Sequence, residues 1–141
     1  MTDSAAGSKY YELEQTVDVG SSWALINEDP FQGKVGQAER IVFFTKDYGY
    51  IGISNVSGTY SHIFVTYDGG ANFSNVKLPM DLVENLPENA KKYEYTINDY
   101  DYYELPAINN GVLEINVITE ASETNGITFI SDDNGKNWRP E

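Results

Sequence analysis

Residues 63–73 read IFVTYDGGANF and residues 128–138 read TFISDDNGKNW. At a shift of 65, Phe64 matches Phe129, Val65 Ile130, Thr66 Ser131, Asp68 Asp133, Gly70 Gly135, Asn72 Asn137 and Phe73 Trp138, so seven of eleven positions are identical or chemically similar. Every position with special turn chemistry is among them. In Ser/Thr-x-Asp-x-Gly-x-x-aromatic, a short carboxylate accepts hydrogen bonds from the amides of its own turn, glycine takes a positive φ without steric cost, and the ring covers the base of the hairpin. Upstream, Gly49-Tyr50-Ile51-Gly52-Ile53 corresponds to Gly111-Val112-Leu113-Glu114-Ile115, with three extra residues in the second hairpin. The repeated object is thus a whole meander, and the repeat predicts two units, residues 39–79 and 93–141.

The surrounding sequence agrees with a β reading. Ile and Val number 21 against 15 Leu and Ala, which favours pleated, half-buried surfaces over helices. From Arg40 to Pro79, four short apolar runs are separated by Asp47-Tyr48-Gly49, a Gly58 turn and Asp68-Gly69-Gly70, the spacing of an antiparallel meander. Tyr11, Leu13, Val17 and Val19 alternate with Glu12, Glu14, Thr16 and Asp18, which predicts a half-exposed strand broken at Gly20-Ser21. A short strand from Trp23 to Asn27 and a loop over 28–37 follow. Met80, Leu82, Val83 and Leu86 sit at near-helical spacing between prolines, so the linker 79–92 is expected to hold one short helix or a loop. Residues 1–8, MTDSAAGS, read as a flexible leader ahead of a single β domain over 9–141. The fold class expected is all-β, with antiparallel four-stranded meanders, eight to ten strands, and under a fifth of the residues helical.

The octamers TYDGGANF and SDDNGKNW resemble the Asp-box, or bacterial neuraminidase repeat, found between the last two strands of blades in sialidase-type β-propellers. On that resemblance Thr66, Asp68, Gly70 and Phe73, and Ser131, Asp133, Gly135 and Trp138, are structural, and the two meanders are blade-like. Asn72 and Asn137 stand where the family usually has Thr. The order from Thr45 to Phe73 is also similar to the propeller-like repeats of bacterial envelope proteins and photosystem assembly factors. The resemblance implies a secreted or envelope protein of bacterial origin. It does not imply sialidase activity, because that family grips its substrate carboxylate with three arginines and this chain has only Arg40 and Arg139.

Charge and composition bound the partners. Nine Lys and Arg against 22 Asp and Glu give −13, which repels nucleic acid and anionic membrane. The longest apolar run, Ile41 to Phe44, is far short of the roughly 20 residues of a spanning helix. With no Cys, thiol nucleophiles and Cys-ligated metals are excluded.

No catalytic constellation emerges, and no cofactor or metal is expected. Ser61 and His62 are neighbours in a strand and point to opposite faces. Asp132, Asp133 and Asn134 lack the remaining ligands of a calcium loop. Glu84 and Glu88 read as solvent-facing carboxylates. The one surface cluster that invites binding is Asp99, Tyr100, Asp101, Tyr102 and Tyr103, where amphipathic rings lie beside carboxylates suited to a glycan or a basic protein face. The function expected is a non-catalytic interaction or scaffold module, the alternative being a carbohydrate-binding module or a piece of a glycosidase-like propeller.

Overall fold

A computed structural model describes all residues except 1–2, 6–7, 55–60 and 120–124. The described chain is 40% strand and 8% helix, and every strand pair with a defined register is antiparallel. In chain order the strands are β1 (Asp3–Ala5), β2 (Ser8–Tyr10), β3 (Leu13–Gln15), β4 (Ala24–Asn27), β5 (Gln37–Phe43), β6 (Gly49–Ser54), β7 (Ser61–Thr66), β8 (Ser74–Asn75), β9 (Tyr102–Tyr103), β10 (Ala107–Asn109), β11 (Val112–Ile118), β12 (Ile127–Ser131) and β13 (Arg139–Pro140). The thirteen strands among the described residues exceed the eight to ten expected, because several are fragments of two or three residues. The helical residues are a single turn α1 (Ala90–Tyr93) and two 3₁₀ turns, Met80–Leu82 and Ile97–Asp99. Among the described residues, no helix is long and apolar enough to cross a membrane.

The chain divides into two compact units, Met1–Gly58 with Ile63–Val76, and Thr59–His62 with Lys77–Glu141. In the first, β5-β6-β7-β8 form the expected meander. Its core gathers Phe31, Ile51, Ile53, Phe64 and Phe73, with Tyr11, Leu13 and Ala38 packed against it. Phe31 is the anchor of the loop 28–36, edge-on to both Tyr11 and Phe64. Burying one such ring is worth roughly 1.5–3 kcal/mol, which fixes a segment that has no periodicity of its own.

The second unit holds a five-stranded sheet in the order β10-β11-β12-β13, with β9 also on β11. Tyr103 and Tyr102 pair with Val117 and Ile118, and Ala107 to Asn109 pair with Glu114 to Val112, so β9 and β10 are two pieces of one strand along the same edge. Glu104 N still donates to Asn116 O at 2.9 Å, and the interruption falls at Leu105-Pro106, where proline has no amide to offer. The hairpin turn Asn110-Gly111 has φ of 49° and 82°, the mirror-image turn that matches strand twist.

Three expectations shift. Within the leader read as flexible, Asp3–Ala5 pairs with Ser8–Tyr10. The strand read over Tyr11 to Val19 stops at Gln15, and Val17 and Val19 stand 91% and 102% exposed on a turn. Tyr102 and Tyr103, read as part of an exposed surface cluster, lie in β9 and pair with β11.

Candidate functional site

Among the described residues one turn occurs in three copies, one more than the two octamers of the repeat. At residues 131–138, Ser131 Oγ donates to Asp133 Oδ1 (2.8 Å) and accepts from Gly135 N (2.9 Å). Asp133 Oδ1 accepts from Asn137 N (2.9 Å), and Oδ2 from Asn137 Nδ2 (2.6 Å). At 66–73 the same bonds join Thr66 to Asp68 (2.8 Å) and Gly70 (2.9 Å), and Asp68 to the amide and side chain of Asn72 (2.9 and 2.8 Å). At 16–23, TVDVGSSW, they join Thr16 to Asp18 (2.8 Å) and Gly20 (2.8 Å), and Asp18 to Ser22 N (2.8 Å) and Ser22 Oγ (2.6 Å). The flanking strands keep one register: Glu14 opposite Leu25, Phe64 opposite Asn75, Phe129 opposite Pro140.

Position four of the octamer is left-handed in all three, at Val19 (φ 60°), Gly69 (φ 74°) and Asn134 (φ 61°). That explains why the first copy escapes a sequence reading. A β-branched residue disfavours that conformation, and Val17 and Val19 extend the alternation of β3 through the turn. The signal that finds it is the spacing Thr16-x-Asp18-x-Gly20-x-x-Trp23 itself.

Electrostatically each turn holds its carboxylate ionised. The side chain of Ser22 and its amide bring Asp18 down to about 2, the amide and side chain of Asn137 bring Asp133 to about 2, and the side chain and amide of Asn72 lower Asp68. Asp132, the residue beside Asp133 in the calcium reading, faces Arg139 at 3.5 Å.

The burial of the ring that ends each octamer differs. Phe73 is 6% exposed, Trp138 is half-buried, and Trp23 is 59% exposed. The middle turn is covered from within its own unit: Asn27 Nδ2 donates to the carbonyls of Gly70 and Ala71 (both 3.1 Å), and the Gln32 amide donates to Phe73 O.

The tyrosine cluster does not form one exposed face. Tyr100 is 3% exposed and lies edge-on to Tyr95, against its reading as a contact residue. Tyr102 and Tyr103 are half-buried, held by pairing with β11. Asp99 is spent on a capping box: its Oδ2 accepts from Thr96 N and Oγ1, both at 2.7 Å, and Thr96 lowers its pKa. Asp101 is half-buried, with Oδ1 lacking a partner, and desolvation pushes its pKa up. Burial, then Asp101, raises the Tyr103 phenol. Ser61, the nucleophile of a Ser/His reading, exchanges bonds with the Tyr103 backbone, its Oγ donating to Tyr103 O (2.9 Å) and accepting from Tyr103 N (2.7 Å).

Comparison with family models, with curated proteins and with solved structures returns no match to this chain. The described surface is concave in both units. In the second unit a cleft of about 500 Å³ lies between Leu82, Glu84, Leu86, Ile127 and Pro140. In the first unit two adjoining clefts, of about 280 and 230 Å³, share Leu13 and Ile41 and run between β3 and β5. Among the described residues, no three His, Cys, Asp or Glu side chains converge to hold a metal ion.

Proposed function

We propose that the protein is a non-catalytic interaction or scaffold module built from Asp-box repeats, working outside the cytoplasm of a bacterium. The observation that carries this reading is how the chain spends its acidic side chains in the turns. Asp18, Asp68 and Asp133 each accept a backbone amide on Oδ1 and the side chain of the same residue, four positions on, at Oδ2, three times over in one register. A carboxylate occupied by its own hairpin is a poor general acid or nucleophile, since either role requires it to meet a substrate atom. Ser61 is likewise tied to backbone, beside a histidine that adjacent strand positions turn to the other face. The localisation follows from the kind of protein such repeats resemble.

The test is a pair of assays on the full chain: a panel of fluorogenic glycosides, sialosides included, and a glycan array. The expected result is no turnover and no reproducible glycan signal. Turnover of any glycoside overturns the reading, and saturable glycan binding moves it to a carbohydrate-binding module, for which Tyr102 and Tyr103 are the first residues to replace.

A further inference from the structure

In the second and third copies of the hairpin, the strand before the turn is covered on both edges. β7 lies between β6 and β8, and β12 lies between β11 and β13, with Ile115 directly opposite Phe129 and Asn116 opposite Thr128. In the first copy, β3 pairs only with β4 among the described residues, and β1 and β2 pair with each other. Among the described residues, no strand takes beside β3 the place that β6 and β11 occupy in the other copies. The wall facing that place is apolar at its centre and exposed, with Lys46 lining one cleft and Arg40 the other. Ile41 is 57% and Phe43 36% exposed on β5, itself the edge of its sheet, and Trp23 is 59% exposed at the end of the turn. The two clefts that share Leu13 and Ile41 fill this space end to end.

We propose that this groove receives an extended strand of another polypeptide, paired antiparallel to β3 as β11 is to β12. An open strand edge supplies main-chain bonds, and side-chain pockets beside it select alternate residues. The chemistry of the donor follows from the register. Leu13 packs on the core of this unit, so donor residues sharing its face lie toward Ile41 and Phe43 and are apolar. Glu14 stands where the other copies bury Phe64 and Phe129, and it is exposed. A donor residue opposite it meets a carboxylate, with Glu12, also exposed, just ahead of β3, and is basic. The partner is thus an amphipathic strand, apolar on one face and cationic on the other, which also suits a chain of net charge −13. The inference rests on the interaction-module reading and names the class of partner. Glycoside turnover would end that reading, whereas the titration below decides the groove alone.

The experiment titrates the ¹⁵N-labelled full chain with a capped, alternating valine–lysine octapeptide. Saturable shifts are expected at the amides of 13–16 and 41–43 and at the Trp23 indole. A block isomer of the same composition should bind about tenfold more weakly. Glu14→Lys should weaken the valine–lysine peptide about tenfold and admit a valine–glutamate peptide instead. Ile41→Asp, at an exposed site that leaves the fold intact, should abolish the shifts. Equal binding of the block isomer, shifts confined to other residues, an unaltered Glu14→Lys titration, or no saturable shift on β3 overturns the proposal. So does a neutral oligosaccharide that moves Trp23 and Phe43 where the peptide does not.

Discussion

The hydroxyl that opens each octamer does more than its size suggests, because it receives two backbone amides of the turn while donating to the carboxylate. Thr66 is 1% exposed, so Thr66→Val leaves the Gly70 amide buried without a partner and should cost about 1–3 kcal/mol, read as a lower midpoint in urea. Thr16 sits in the most exposed of the three turns, and Thr16→Val should cost clearly less. Val19 offers the opposite sign. Its φ of 60° strains a β-branched residue, and Asn134 shows what the position prefers, so Val19→Asn should raise stability by about 1 kcal/mol. An unchanged or lower midpoint would refute the strain. The carboxylates set the acid limit. Their folded values lie below the ordinary 3.8, so their stabilisation is complete above about pH 4 and is lost as pH falls toward 2. Melting against pH should steepen in that window, and Asp18→Asn with Asp133→Asn should flatten it. Asp101 runs the other way: its raised value means ionisation opposes folding, so Asp101→Asn should melt higher than the parent at pH 7 and level with it at pH 3.

Among elements, burial decides what a matched residue is worth. Phe73→Ala removes a ring from the core of the first unit and should cost about 3–5 kcal/mol, whereas Trp23→Ala, at the same register, should stay within about 0.5 kcal/mol. The packing of β3 on the middle turn has its own test. A Cβ on Gly70 would stand 2.3 Å from Leu13 Cδ2, so Gly70→Ala should destabilise, and Leu13→Ala should recover part of that loss in the double variant. Additive effects would mean that the two do not meet. The same elements show what was legible beforehand. The meander from β5 to β8 and the two octamers at 66–73 and 131–138 followed from turn residues and alternation, which are local signals. The end of β3 did not, because Val17 and Val19 continue its period into a turn that Thr16 and Asp18 hold closed. Nor did the inward course of Tyr100, which depends on Tyr95 packing against it. The groove beside β3 was equally hidden, since an edge is defined by which of the described strands pair with it.

At the scale of the whole chain, composition spoke early for the all-β class, while the candidate site depended on which strands found neighbours. That division is physical: alternation and turn chemistry act over a few residues, whereas the pairing of β9 with β11 and the packing of Leu13 beside Ile41 join segments farther apart in sequence. A surplus of 13 negative charges also predicts that moderate salt raises the melting temperature at neutral pH by screening self-repulsion, and a melt series in sodium chloride that stays flat would count against it. The recurring turn carries one more consequence. Its hydroxyl, carboxylate, glycine and ring are fixed, yet its second position is Val17, Tyr67 or Asp132 and its sixth is Ser21, Ala71 or Lys136, most of them facing water. Framework and cargo are therefore separable. A library randomised at these outward positions would display new surfaces on a hairpin whose closing bonds come from the hydroxyl, the carboxylate and the backbone amides.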